Sequence, residues 1–140
     1  MTKICLGSVG TDIHCVANQL IALELEFRGF KVFNFGVGSS IQDFQRFVEI
    51  HDPSLVLLGS TNGDIEPLIE CVSLIKRMNP SRRIIVGGNF ILGATGLDRS
   101  LDILNAGAER LISRAESVSA AVNLVESSLK SERRELISEL

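Results

Sequence analysis

The chain has 140 residues, the size of one domain, and its composition, 45% hydrophobic and 22% charged, suits an ordinary packed core. A formal net charge of −3 with no Lys/Arg cluster argues against a basic nucleic-acid-binding face, and no apolar run reaches the roughly 18 residues a membrane span needs. Three cysteines, Cys5, Cys15 and Cys71, lack C-x-x-C spacing and read as free thiols of a reducing cytoplasm rather than a disulfide or zinc frame. The first residues, Met-Thr-Lys, lead straight into an apolar pattern, so no signal peptide is expected and the chain reads as cytoplasmic.

Strand and helix patterns then alternate. "KICLGSV" (Lys3–Val9) is a predicted strand closed by Gly10. A helix follows, with Val16, Leu20, Leu23 and Phe27 on one predicted apolar face and Gly29 ending it. "KVFNFG" (Lys31–Gly36) is the second strand. The next helix carries Ile41, Phe44 and Val48 behind a Ser39 or Ser40 cap, and Pro53 ends that unit. "SLVLLGS" (Ser54–Ser60) is the most apolar strand, as a central parallel strand should be. A third helix spans about Ile65 to Met78, with Leu68, Ile69, Val72 and Ile75 inward. "RRIIVGG" (Arg82–Gly88) is strand four, a short helix lies around Asp98–Asn105, and "AERLIS" (Ala108–Ser113) is strand five. The last helix is expected from near Ser113, with Val118, Val122, Val125 and Leu129 inward and a charged tail over 130–140 that is solvated, fraying or a partner contact.

Five βα units in a row imply a parallel sheet with right-handed crossovers and helices on both faces. At this length the expected class is a flavodoxin-like (Rossmann-like) α/β fold, strand order 2-1-3-4-5, in a single domain over 1–140. Ligands of such folds bind at the carboxyl ends of the strands. The loops placed there are Gly10–Cys15, Gly59–Gly63, Gly87–Gly93 and Ser113–Glu116.

Several chemistries fail on residue type. A phosphorylation receiver needs an Asp at the end of strand three, where this chain reads "LLGST". A flavin-mononucleotide site would set Asp12 against a phosphate and would lack Trp and Tyr for stacking. Cys15 beside His14 makes a poor nucleophile–base pair, because adjacent residues seldom face one another. A zinc site would have only His14 and His51, and His51 reads as a solvated surface residue at a helix end. Asp12 and His14 remain. A metal-ligating histidine commonly donates its other ring N–H to a carboxylate, which fixes its tautomer. The same spacing also suits Asp12 as a helix cap with His14 exposed in the first turn, and spacing alone leaves both readings open.

The segment "GTDIHCVANQLIALELEFRGFKVFNFGV" resembles the Asp-x-His-x-x-Gly region of cobalamin-binding domains, above all that of the small subunits of glutamate mutase (methylaspartate mutase). The resemblance runs on through "PSLVLLGSTNG", "IIVGGNFILG" and "AGAERLIS", covering most of the chain. It implies a flavodoxin-like fold in which His14 is the lower axial ligand of cobalt and Asp12 its carboxylate partner. The cobalamin nucleotide tail would enter a crevice between the first helix and the sheet, with Gly87 and Gly88 giving its backbone room. Thr11, Ile13, Cys15 and Ala17 would line the first loop, Gly59, Ser60 and Thr61 the end of strand three, and Asn89, Phe90, Ile91, Leu92 and Gly93 the opposite wall.

Three positions depart from the family pattern. Ala17 stands where the family has glycine, so a methyl group faces the tail's entrance. The family's Ser-x-Leu is Gly59-Ser60-Thr61, and its Gly-Thr after strand five is Ala115-Glu116, where Ser113–Glu116 instead fits a capping box. The resemblance implies a subunit that performs no chemistry alone and has no catalytic residues of its own. It would present adenosylcobalamin to a larger barrel-shaped (TIM-barrel) subunit of a carbon-skeleton isomerase. The alternatives are a cobalamin carrier of another enzyme class or a degenerate interaction module that binds no cobalamin. Methyl carriers have a helical cap domain ahead of this motif; here 11 residues precede Asp12, which favours the mutase type.

Overall fold

The computed structural model describes residues 2–9, 15–60, 65–88, 98–113 and 117–138. Strands and helices alternate as β1 (Lys3–Val9), α1 (Cys15–Phe27), β2 (Lys31–Ser39), α2 (Ile41–His51), β3 (Leu55–Ser60), α3 (Glu66–Met78), β4 (Arg83–Gly88), α4 (Ser100–Ala106), β5 (Arg110–Ser113) and α5 (Val118–Ser138). The sheet is parallel, in the expected order β2-β1-β3-β4-β5.

The pleat divides the central strands between two cores. Cys5, Val56, Leu58, Ile84 and Val86 pack against Phe44 and Val48 of α2, Leu68, Val72 and Ile75 of α3, and Ile103 of α4. Ile4, Leu6, Leu55, Leu57, Ile85 and Ile112 pack against Ala22 and Leu25 of α1 and Val122 and Val125 of α5. Strands buried on both faces read as unbroken apolar runs, which is why β3 and β4 are the plainest elements in the sequence.

Local chemistry sets the boundaries. Ser40 caps α2, its hydroxyl oxygen accepting from the Asp43 N–H at 3.1 Å. Asp52 ends that helix in the left-handed region, φ 46°, and donates its N–H to Val48 O. β2 runs to Ser39, three residues past its expected end, because Gly36 (φ 89°) accommodates a bulge instead of stopping the strand. The β1–β2 register slips there, from Leu6↔Asn34 to Gly7↔Gly36. The final helix starts at Val118, not near Ser113. Ser113 is the last residue of β5, and Ser117 supplies the cap by accepting from the Ala120 N–H at 3.0 Å. The capping box expected over Ser113–Glu116 therefore gives way to strand pairing of Ser113 with Gly88; Ala115 and Glu116 lie outside the described residues.

Two side-chain expectations are corrected. α1 does not bury Leu20, Leu23 and Phe27; they are 47%, 62% and 88% exposed, and the inward residues are Asn18, Ala22 and Leu25. The helix carries two apolar stripes of the same period, and the smaller side chains take the sheet side. His51 is not a free surface residue: its ring stacks on Phe33 at 3.9 Å and meets the edge of Phe47 at 4.6 Å. Arg28 ties α1 to α5, donating to Asn123 Oδ1 at 2.7 Å and Glu126 Oε2 at 3.0 Å. Among the described residues, no helix is long and apolar enough to cross a membrane.

Two expectations about stability follow from this packing. A Cβ on Gly7 would lie 2.5 Å from Phe44 Cε2, so Gly7→Ala should cost about 1–3 kcal/mol in urea unfolding, and Phe44→Leu in the same chain should recover part of it. Burial pushes the Cys5 and Cys71 thiols from an ordinary 9.0 up to about 12. The native state keeps these protons while the unfolded chain releases them above 9.0, so stability should fall as pH rises from about 9 towards about 12. The Cys5→Ala/Cys71→Ala double variant should show a flatter alkaline limb in unfolding midpoints.

Candidate functional site

At the carboxyl end of the sheet the strand registers line up one row: Ser8 pairs with Gly59, Gly59 with Gly87, and Gly87 with Ile112. Alternation puts this row on the face of Ile4, Leu6, Leu57 and Ile85, beneath α1 and α5. Large apolar residues fill the lower rows of that face. This one has a hydroxymethyl group and two glycines before Ile112 closes it. Among the described residues, a Cβ on Gly87 would meet only the Ile112 carbonyl oxygen, at 3.7 Å. Among the described residues this row, bare of large side chains on the α1/α5 face, forms a trough in the sheet surface.

Two polar side chains face this layer. Ser8 is fully buried, and its Oγ has no hydrogen-bond partner among the described residues. Asn18, 8% exposed, sits in the first turn of α1 on the inward stripe of Ala22 and Leu25, and its Nδ2 likewise has no partner. A buried polar group without a partner costs about 1–3 kcal/mol. Two on the α1 side of the sheet, near its carboxyl end, mark a place where polar groups await a ligand or water. One residue further along, Gly88 (φ 136°) lies in a region that favours glycine and pairs with Ser60 and Ser113.

The expected site residues divide accordingly. Gly59, Ser60, Gly87 and Gly88 come together at adjoining strand ends, and Cys15 and Ala17 lie in the first turn of α1, which begins at Cys15. Thr11, Asp12, Ile13, His14, Thr61, Asn89, Phe90, Ile91, Leu92 and Gly93 lie outside the described residues. Among the described residues, no cluster of three His, Cys, Asp or Glu could hold a metal ion. Ser8 and Asn18 were not singled out from the sequence. The available signal was a hydroxyl in an apolar strand, at the parity of Ile4 and Leu6.

Relieving the buried hydroxyl gives a direct check. Ser8→Ala should stabilise the ligand-free chain by about 1 kcal/mol in urea unfolding, the reverse of what removing a partnered hydroxyl does.

No family model matches the chain. Among curated proteins it is 26% identical to glutamate mutase sigma subunit 2 of Haloarcula marismortui, over 96% of this chain and 93% of the relative. It is 30% identical to the glutamate mutase sigma subunit of Treponema denticola, over 69% of this chain and 70% of the relative. It is 32% identical to that of Carboxydothermus hydrogenoformans, over 65% and 68%. Among solved structures, a cobalamin-binding protein from Desulfitobacterium hafniense superposes with a TM-score of 0.70 at 19% identity; the match covers 90% of this chain and 58% of that protein. A LuxR-family response regulator from Aurantimonas also gives 0.70, at 20% identity over 94% and 87%. At these identities the structural likeness is one of fold, shared by cobalamin-binding and receiver domains alike. The sequence relatives decide between them: the chain belongs to the glutamate mutase sigma subunit family.

Proposed function

We propose that this chain, as a single domain over residues 1–140, is the cobalamin-binding subunit of a glutamate-mutase-like, adenosylcobalamin-dependent carbon-skeleton isomerase in the cytoplasm. The observation that carries the reading is the trough at Ser8, Gly59 and Gly87, with the unpartnered Ser8 Oγ and Asn18 Nδ2 beside it. Its shape and chemistry suit a bulky, polar-edged group laid against bare backbone, as the nucleotide tail of cobalamin requires. The sequence kinship to glutamate mutase sigma subunits, and the fold shared with the cobalamin-binding protein of Desulfitobacterium hafniense, support the same cofactor.

In this reading His14 would ligate cobalt and Asp12 would accept a hydrogen bond from the N–H of the other ring nitrogen, holding the imidazole in one tautomer and raising its basicity. The Asn18 amide donates to the cofactor, the Ser8 hydroxyl donates or accepts, and Gly87 keeps its face of the sheet free of a side chain, with Gly88 beside it at the strand end. Bound cobalamin supplies the radical-generating cobalt–carbon bond, and this chain supplies ligand tuning and position. The substrate would sit on a larger barrel-shaped partner subunit, so this subunit alone would be inactive.

The test is an optical titration of the purified chain with cobalamin. The bound spectrum should differ from that of the free cofactor and change in His14→Gly, while Gly87→Val, which fills the trough, should abolish binding without loss of fold by circular dichroism. Ala17→Gly should tighten binding, because it restores the glycine that the family has at this position. Binding unaffected by both His14→Gly and Gly87→Val would rule the reading out.

A further inference from the structure

The opposite end of the sheet carries a second cleft, of about 520 Å³, at the amino ends of β4 and β5. Lys76, Arg82, Arg83, Glu109, Arg110 and Ser128 line it. Five residue steps of β4, about 16 Å, separate Arg83 from Gly88, so the two sites do not share walls.

Four cations face this cleft, and two of them are neutralised. Arg82 pairs with Asp52 at the end of α2. Arg83 donates from Nε and a terminal nitrogen to the two oxygens of Glu109, at 2.7 and 2.8 Å. Lys76 and Arg110 meet no carboxylate among the described residues. Lys76 Nζ donates to the carbonyls of Pro80 and Arg82, at 2.7 and 2.9 Å. Arg110 donates to Ser128 Oγ at 2.8 Å. These neutral acceptors orient the two side chains without cancelling their charge. The Arg82 side chain is only 6% exposed, and its Nε has no partner among the described residues, so the wall holds an unspent charged donor. Two surplus positive charges in one cleft, on a chain of net charge −3, are a local reversal of sign.

We propose that this cleft binds the phosphate group of a small phosphorylated molecule. A phosphate monoester carries about −1.5 to −2 charges and three acceptor oxygens, which matches two uncompensated cations and the remaining N–H groups. A lone carboxylate would neutralise only one of them. The cleft is larger than a phosphate, leaving room for the rest of the molecule.

Calorimetric titration of the cofactor-free chain with inorganic phosphate and pyrophosphate, against chloride at matched ionic strength, tests this. Saturable one-site binding is expected, weakened about tenfold in Arg110→Gln and in Lys76→Gln. Glu109→Gln, which removes the negative charge beside Arg83 while its bond to the Ser128 carbonyl stays, should tighten binding severalfold, an effect of opposite sign that loss of fold cannot mimic. Cobalamin titrations should be unchanged in all three variants. No saturable binding, equal binding of malonate, or affinity indifferent to Arg110, Lys76 and Glu109 would each overturn the proposal.

Discussion

Everything in this molecule hangs on the parallel pairing of β1, β3 and β4. Parallel strands need crossover helices, and crossovers of one hand cover both faces. Each central strand must therefore be apolar on both sides, and any break in that rule stands out. The break comes at the carboxyl end, where Ser8, Gly59 and Gly87 occupy consecutive strands in one row. Because the pairing fixes their register, three residues far apart in sequence become one trough. A one-residue slip in β1 or β3 would turn the row to the α2/α3 side and fill the trough with apolar side chains.

The elements and their order were legible in the sequence because β1, β3 and β4 read as short, nearly unbroken apolar runs and the 3.6 period survives in α2 and α3. The Phe44/Val48 and Leu68/Val72/Ile75 stripes pack as the periodicity predicts. α1 was less legible for a physical reason. "CVANQLIALELEF" is apolar around much of its circumference, so periodicity offers two stripes without ranking them. The choice went to Ala22 and Leu25, with Asn18 continuing the same line towards the mouth of the trough. The end of β2 was misplaced because glycine signals both a stop and a bulge, and only the strand beside it tells which.

The site was legible in part. The glycines at the ends of β3 and β4 come from motif resemblance, and their convergence follows from strand order. Ser8 and Asn18 escape motif reading because each looks ordinary alone. They become informative only when burial and missing partners are known together. The basic cleft escapes for the same reason: Lys76, Arg82, Arg83 and Arg110 are spread over α3, β4, β5 and the turn before β4, and no sequence window shows their shared surface.

The bulge at Gly36 has a consequence for how this domain behaves in a crowded solution. β2 is an outer strand, and an outer strand offers unpaired N–H and C=O groups to any passing chain. The extra residue at Gly36 bends the ribbon and breaks the even spacing of those groups, so a foreign strand cannot pair along its whole length. Asn34 Oδ1 also accepts the Gly36 N–H at 3.0 Å, taking up one donor of the bend. The same irregularity that lengthens β2 thus works against edge-to-edge aggregation along that rim.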